Sequence, residues 1–443
     1  MKLWTTPFWI ISILSSSLIF ANPPVTLSGL SPAISPTFSV GINQTVKYTI
    51  TNYIPKQLPL TISGFSKPIT RITVDNDCQN SLPPAQDVSH PSTCNIGFNI
   101  KPTTSEMSTI VSQTLSVNYK GRESLTNTIS FKVVNALRAY ISNFGNNSIS
   151  MCIVDSFTGA LGTCTAIKDP TFNKPLGMGI NTNGTFAYVA NHIWGSKPIS
   201  ICPIDPNTGL FGACTAVDGN GVLARANPQR AELNPANTHL YVANSMGNFV
   251  FVCPLTNGGA SIGTCIMLAG NDAQENTTFN NTQDIAFSAD GRFAYIANYN
   301  NLVSICPVLD DATFGPCTTS GGPSNSDTST FVAPFGLSFN STHTILYVAN
   351  SGRNGQAIPE SISACQVSNT SISNCVVSNG NGTLDSDNTE IQLWMSEAFN
   401  VGYIPNSGSN TISTCPLKPN GTLGHCSLFK DVSFSKPSSV YIQ

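Results

Sequence analysis

The sequence predicts an all-β protein in two parts, and three observations carry this prediction. Short alternating strands fill the chain, a tyrosine-containing phrase returns about every fifty residues, and the 14 cysteines fall in regularly spaced pairs. Helical periodicity is absent, and Gly, Asn, Ser and Thr favour turns and short strands. We therefore expect a β-sandwich followed by a closed array of repeated sheets.

The first 21 residues have the features of an export signal. Lys2 supplies a positive charge, residues 8–20 are apolar, and Ala21 is a small residue before the expected cleavage site. The apolar stretch is too short to span a bilayer, and no later segment is continuously apolar over that length. We expect a periplasmic or secreted protein without a membrane span.

Residues 22–134 lack the repeat and alternate in strand fashion, as in TVKYTITNY and CNIGFNI. Several short strands separated by Pro-rich turns predict an immunoglobulin-like β-sandwich of about 110 residues. The stretch STCNIGFNIKPTTSEM also resembles bacterial immunoglobulin-like modules. In such a module Cys78 would pair with Cys94 across neighbouring strands.

Residues 136–443 contain six copies of a phrase of the form Tyr-Val-Ala-Asn. A period near fifty with several short strands per unit is typical of a β-propeller rather than a helical solenoid. Each unit has an inner strand, the tyrosine strand and a cysteine hairpin that supplies the third and fourth strands. The tyrosines are Tyr140, Tyr188, Tyr241, Tyr295, Tyr347 and Tyr403.

The two ends of the repeat region complement each other. It begins at Ala136 with a tyrosine strand that lacks an inner strand, and it finishes with an inner strand, PSSVYIQ, that lacks three partners. Joining residues 136–170 to residues 436–443 completes a blade and hides the open edges. The sequence thus predicts a six-bladed propeller closed by the C-terminal strand.

The cysteines are expected to form one disulfide in each outer hairpin, because antiparallel neighbours lie at a separation that suits disulfide geometry. Zinc sites would need close C-x-x-C spacing, which disfavours metal-binding thiols. An even cysteine count also fits an oxidising compartment. The predicted pairs are Cys78–Cys94, Cys152–Cys164, Cys202–Cys214, Cys253–Cys265, Cys306–Cys317, Cys365–Cys375 and Cys415–Cys426.

The YVAN strands, the NTNGT and SADGR turns and the cysteine hairpins together resemble bacterial secreted propellers of the YVTN repeat type. The resemblance covers about 300 residues, 136–443. It implies the fold and leaves activity open, because such blades occur in surface proteins, lactonases and lyases alike. The cysteine hairpin is similar to a variant in exported proteins of intracellular Gram-negative bacteria such as Legionella.

Polar residues in the inner strands are the candidate ligand-binding residues, because these strands surround the central channel. Arg230 and Asp284 occupy equivalent positions in successive blades, and we favour an inter-blade ion pair over a polar ligand pocket as their role. The candidates are Gln229, Arg230, Asp284, Glu390 and Gln392.

The main functional hypothesis is a secreted, non-enzymatic and monomeric binding protein for a protein or glycan partner, without a cofactor. Charged residues are only 10% of the chain and the net charge is −3, so no basic field for nucleic acid exists. No nucleophile or zinc-protease motif is present. The alternative is a metal-dependent lactonase or lyase in the channel, with Ca²⁺ as the candidate metal. That alternative requires at least three oxygen ligands, drawn from Glu232, Asp284, Glu390 and nearby Asn residues, to converge on one point.

Overall fold

The structure is a computed structural model that describes residues 25–29, 37–39, 44–102, 110–119, 123–134, 137–155, 158–193, 197–269, 278–321, 331–351, 361–368, 370–380, 384, 392–396 and 399–443. The predicted leader, residues 1–21, lies outside these ranges. Two compact units, Met1–Val134 and Asn135–Gln443, are described separately. The described residues are all-β, with two short 3-10 turns at Val222–Arg225 and Asn257–Gly259. They include no helix long and apolar enough to cross a membrane.

The first unit is a sandwich of two sheets, with strand orders β1-β3-β7-β5 and β2-β9-β8-β4-β6. Apolar residues from both sheets, among them Tyr48, Phe98, Leu115 and Phe131, form one buried core. The β2–β9 pair is parallel and the other pairs are antiparallel. The strands are β1 Val25–Leu27, β2 Thr37–Ser39, β3 Gln44–Asn52, β4 Leu58–Ser63, β5 Ile69–Ile72, β6 Ser81–Leu82, β7 Ser92–Ile100, β8 Ile110–Tyr119 and β9 Glu123–Val134.

The second unit contains the strands of the repeat region. They are β10 Leu137–Asn143, β11 Ser148–Val154, β12 Leu161–Lys168, β13 Pro175–Ile180, β14 Phe186–Asn191, β15 Ile199–Pro203, β16 Thr215–Val217, β17 Pro228–Leu233, β18 His239–Asn244, β19 Phe249–Thr256, β20 Ser261–Ile262, β21 Ile266–Ala269, β22 Thr282–Phe287, β23 Phe293–Asn298, β24 Leu302–Pro307, β25 Thr318–Gly321, β26 Pro334–Phe339, β27 Ile345–Asn350, β28 Ser361–Ser368, β29 Ser371–Ser378, β30 Trp394–Ser396, β31 Val401–Asn406, β32 Thr411–Pro416, β33 Ser427–Lys430 and β34 Pro437–Ile442.

Within the described ranges, these strands form six antiparallel sheets in propeller fashion. The inner strands β34, β13, β17, β22, β26 and β30 are neighbours in that order, and β30 in turn contacts β34. The first sheet has the order β12-β11-β10-β34, so the C-terminal strand is its inner strand. The register places Val440 opposite Ile141 and Ile442 opposite Ala139. The two ends of the repeat region therefore meet in one sheet, as the sequence predicts.

The described core of the second unit consists of six apolar clusters, and each lies between two successive sheets. One of them joins the last sheet to the first through Tyr403, Ile412, Val440 and Ile442. We number the inner-strand positions from Pro175 in β13, and on this numbering the shorter β30 covers only positions 5 to 7. The residues at positions 4 and 6 face the preceding sheet, as the apolar alternation predicts. This leaves the third and fifth residues to face the following sheet and the ring centre.

The repeated tyrosine and asparagine both make contacts that hold the ring together. The hydroxyls of Tyr140, Tyr188 and Tyr241 each donate to a carbonyl in the outer hairpin of the next sheet at 2.7 to 2.8 Å. Tyr403 makes the same bond from the last sheet to the carbonyl of Gly159 in the first. Within a sheet, the repeated asparagines donate to a serine hydroxyl of the third strand, as Asn191 does to Ser200 at 2.9 Å, except that Asn244 donates to the carbonyl of Met246 at 2.7 Å.

Seven disulfides join the predicted pairs, and no described cysteine is free. In the second unit each disulfide links the third strand of a sheet to the fourth strand or to the residue just before it. Cys78 of the first unit differs from the expectation, because it lies in the segment after β5 and not in a strand of its own. That segment runs beside β7, where Cys94 lies.

Candidate functional site

Three charged side chains meet where the inner strands β17 and β22 lie side by side. Arg230 donates from Nε at 2.8 Å and from Nη2 at 2.5 Å to Oε2 of Glu232, two residues along the same strand. Its Nε also lies 3.7 Å from Oδ1 of Asp284. The side chains of Arg230 and Asp284 are 6% and 0% exposed, whereas that of Glu232 is 20% exposed. Arg230 is therefore a buried cation between two carboxylates.

Gln392 extends this cluster across the ring. It lies just before β30, which is three places away from β17 in the order of inner strands. Its Oε1 accepts from Nη1 of Arg230 at 3.3 Å, and its Nε2 donates to the carbonyl of Gln229 at 3.0 Å. Because Arg230 and Gln392 are both buried, they fill the channel at this level. We call Arg230, Asp284 and Gln392 the plug.

A glycine in the neighbouring strand β13 makes room for the plug. A Cβ at Gly177 would lie 2.1 Å from Oε1 of Gln392 and 2.7 Å from Cδ of Arg230. Gly177 occupies the position equivalent to Arg230, so one strand provides the long side chain and the next provides the space for it. Any larger residue at position 177 would displace the bond between Arg230 and Gln392.

Asp284 is held by backbone donors as well as by Arg230. Its Oδ1 accepts from the amide of Ile285 at 2.7 Å, and its Oδ2 accepts from the amide of Leu337 in β26 at 2.8 Å. Both carboxylate oxygens thus have a donor inside the protein. The side chain connects three successive inner strands, β17, β22 and β26.

Burial dominates the electrostatics of the cluster. It raises the pKa of Asp284 to about 7, although the nearby Arg230 acts in the opposite direction. Burial also raises the pKa of Glu232, again against the effect of Arg230. Burial alone would lower the pKa of Arg230, but the two carboxylates raise it above its ordinary value, so the guanidinium keeps its charge.

The raised pKa of Asp284 predicts that stability falls as the pH rises from about 4 to about 7. In this range the folded state keeps a proton that the unfolded chain, with a pKa of 3.8, has released, so the folded state binds more protons. Asp284→Asn should flatten this slope of unfolding free energy against pH, even though it loses an acceptor and is less stable overall. Urea denaturation at a series of pH values measures both effects.

Asp311→Asn is the matched control for this pH experiment. Hydrogen bonds from Thr313 lower the pKa of Asp311, so its carboxylate does not titrate between pH 4 and 7. The slope of unfolding free energy against pH for Asp311→Asn should therefore match that of the unmodified protein. An Asp284→Asn protein with the same slope would mean that Asp284 is already ionised at the lower end of this range.

A cavity of about 500 Å³ lies next to the plug, at the C-terminal ends of the inner strands. Its lining includes the fifth residue of most inner strands, and Arg230 and Glu232 supply its charged groups. Polar and partly exposed residues at the ends of the inner strands and in the turns that follow them form the rim. The rim residues are Thr182, Asn234, Asn237, Ser341, Ser396 and Gln443.

Aromatic side chains form one wall of the cavity. Trp394 in β30 and Tyr441 in β34 occupy equivalent positions, and their ring centroids lie 4.4 Å apart with planes inclined at 49°. The Tyr441 hydroxyl donates to the carbonyl of Ile180 at 3.1 Å, which fixes that ring. Ala286 and Ser338 occupy the equivalent positions elsewhere in the lining. The aromatic residues therefore form a broad apolar wall on one side of the cavity, and small residues line another side.

The sequence-predicted site residues have different positions relative to this cavity. Arg230 lines it, whereas Gln229, Asp284 and Gln392 do not. Gln229 points to the other end of β17, where its amide nitrogen lies 2.9 Å from Nδ1 of His192. Glu390 lies outside the described residues. The sequence does not distinguish Trp394 and Tyr441 from core residues, since aromatic residues in a strand fit a packed core equally well.

The geometry required for an oxygen-ligated cation is not met among the described residues. Glu232 and Asp284 converge on the guanidinium of Arg230, which takes the place that a metal ion would occupy. No group of three or more His, Cys, Asp or Glu side chains suited to a metal ion occurs in the described ranges.

The comparisons with known proteins give a fold likeness only. A scan of protein-family models and a search of curated proteins both found no match. Among solved structures, the chain is similar to a putative 6-phosphogluconolactonase from Bacteroides uniformis, with 15% identity, a TM-score of 0.48, and coverage of 70% of this chain and 99% of that one. The Pseudomonas aeruginosa periplasmic gluconolactonase has 14% identity and a TM-score of 0.48, and the match covers 74% of this chain and 94% of that one. The Cps50 (Swd1) β-propeller domain from Myceliophteria thermophila has 11% identity and a TM-score of 0.39, and the match covers 67% of this chain and 87% of that one.

Proposed function

We propose that this chain is an exported, non-enzymatic binding protein that holds the end of a glycan in the cavity beside the plug. In this proposal the second unit is a six-bladed propeller, and the first unit is an immunoglobulin-like spacer. Six sheets, the order of the inner strands and the pairing of β34 with β10 support the blade count. Seven disulfides indicate an oxidising environment, such as the periplasm or the cell exterior.

The observation that carries the proposal is the composition of the cavity. An apolar wall with Trp394 and Tyr441 suits the apolar face of a sugar ring, and the hydroxyl and amide groups of the rim suit its hydroxyls. A cavity of about 500 Å³ has the size of a small-ligand site. A protein partner would instead need a broad surface of about 800 Å² on each side.

Calorimetric titration of the full chain with a panel of oligosaccharides tests the proposal. We expect at least one neutral or charged oligosaccharide to bind, and Trp394→Ala to weaken that binding about tenfold or more, because the stacking surface is lost. Trp394 is partly exposed and packs at the edge of the cluster that joins the last sheet to the first, so near-ultraviolet circular dichroism of the variant is compared with that of the unmodified protein before the affinities are compared.

Tyr299→Ala provides the matched control. Tyr299 is 41% exposed and follows β23, at the opposite end of the strands from the cavity. Its removal should leave oligosaccharide affinity unchanged. Equal losses in the two variants, or no binding by any oligosaccharide, would refute a glycan site in this cavity.

One observation favours the enzymatic alternative. Glu232 is a partly exposed acid with a raised pKa at the edge of a cavity, which is a common property of general acids. Lactone hydrolysis or lyase turnover by the purified chain, with and without added Ca²⁺, tests this alternative. Turnover that disappears in Glu232→Gln would replace the binding proposal by an enzymatic one.

A further inference from the structure

The charges of the cluster do not balance. Arg230 is its only cation, and it faces two carboxylates, Glu232 and Asp284. When both acids are ionised, the cluster carries one net negative charge. No Lys and no other Arg lines the described part of the cavity. Burial lowers the pKa of His343, which does line it, so this histidine is neutral at neutral pH.

The excess negative charge is accessible only at Glu232. Asp284 is fully buried, and backbone amides of Ile285 and Leu337 bind its two oxygens. Glu232 lines the cavity and exposes a fifth of its side chain. Both hydrogen bonds from Arg230 go to its Oε2, so Arg230 does not engage Oε1.

Aromatic rings lie beside this carboxylate. Tyr441 is close enough that burial and then the charge of Glu232 raise its pKa. Trp394 packs against Tyr441 in the same wall. A carboxylate next to aromatic faces in a partly enclosed site attracts an ammonium group, both by charge and through the electron-rich ring faces.

We propose that the cavity selects a sugar that carries a free primary ammonium group, such as an unacetylated hexosamine at the end of a glycan. The ammonium pairs with Glu232, and the ring packs on Trp394. This inference rests on the proposed glycan-binding function. It adds that a positive charge on the sugar, and not only its hydroxyls, determines which glycan binds.

Three β-1,4-linked tetramers that differ only at position 2 of the sugar test the inference. They are the glucosamine tetramer, its N-acetylated form and the glucose tetramer, each titrated calorimetrically into the full chain in neutral buffer. We expect the glucosamine tetramer to bind about tenfold or more tightly than the other two. Equal affinities would overturn the ammonium inference and leave glycan binding standing. Failure of all three to bind would refute the ammonium inference and count against the glycan proposal.

Two further measurements identify the carboxylate. Glu232→Gln should abolish the preference, so that the glucosamine tetramer binds this variant no more tightly than the glucose tetramer does. Glu123→Gln, a change in the first unit, should leave the preference intact. In the unmodified protein the preference should shrink as salt is added, because a partly exposed ion pair is screened. A preference that survives both Glu232→Gln and high salt would overturn the proposed role of Glu232.

Discussion

Removal of residues 436–443 is expected to leave the second unit unfolded, even though those residues form only one short strand. β34 supplies the inner strand of the first sheet and completes the cluster that joins the last sheet to the first. Val440 is fully buried and Ile442 is 8% exposed. Burying such side chains contributes about 1.5–3 kcal/mol each, and a domain is stable by only about 5–15 kcal/mol in total. Their loss, together with an open edge on β10, therefore removes much of the net stability.

Limited proteolysis and near-ultraviolet circular dichroism of the truncated chain provide the measurement. Val440→Asp in the full chain makes the same test with a single residue, because it places a charge in the closing cluster. Val432→Asp is the matched control, since Val432 is fully exposed five residues before the start of β34. A truncated chain as protease-resistant as the full one would mean that the ring is stable without its closing strand.

The ring could be predicted from the sequence because its structural signals are repeated. Tyrosine strands of several sheets make the same two contacts, a hydroxyl bond to the next hairpin and an asparagine bond to the third strand, so the same letters return along the chain. The cysteines repeat for a similar reason, since each hairpin brings its third and fourth strands together in the same way. Repetition also made the closure visible, because one copy was split between the two ends.

The filled channel could not be predicted, because it depends on contacts between distant residues. Arg230 and Gln392 are 162 residues apart, and their bond depends on the absence of a side chain at Gly177. The sequence marked Arg230 and Asp284 as polar exceptions in apolar strands. It carried no local signal that Gln392 reaches across the ring and fills its centre.

The cavity could not be predicted either, for a different reason. Trp394 and Tyr441 occupy strand positions where an aromatic residue would equally well complete a core. The third and fifth positions of each inner strand point to the ring centre, and only the assembled ring reveals that the fifth positions border an open space. Comparing the fifth residues of all six inner strands would have been the available signal, because their sizes range from Gly179 to Trp394.

The first unit shows the limit of alternation as a signal. The strands suggested by TVKYTITNY and CNIGFNI correspond to β3 and β7, in which buried and exposed residues largely alternate. Alternation does not specify partners, so it did not predict that β5 pairs with β7 or that β2 runs parallel to β9. These pairings depend on short strands whose sequences carry little pattern.

Replacement of Arg230 by methionine is expected to cost about 3–5 kcal/mol of unfolding free energy at neutral pH. The change leaves the carboxylates of Asp284 and Glu232 without their cation, and breaking a buried ion pair from one side is much more costly than its net contribution to stability. Methionine fills a similar space, so lost packing accounts for little of the effect.

The second substitution Asp284→Asn in the same chain should recover part of the loss, because it removes the more deeply buried of the two carboxyl groups that have lost their cation. Arg292→Met is the matched control, since Arg292 pairs with Asp290 at 2.8 Å but is 77% exposed, and solvent replaces the lost partner. Urea denaturation of the four proteins at neutral pH measures these differences, and the Arg230→Met loss should shrink in mildly acidic buffer, where Asp284 takes up a proton. Equal losses from Arg230→Met and Arg292→Met would contradict the buried ion pair as the source of the effect, because burial is what distinguishes the two arginines.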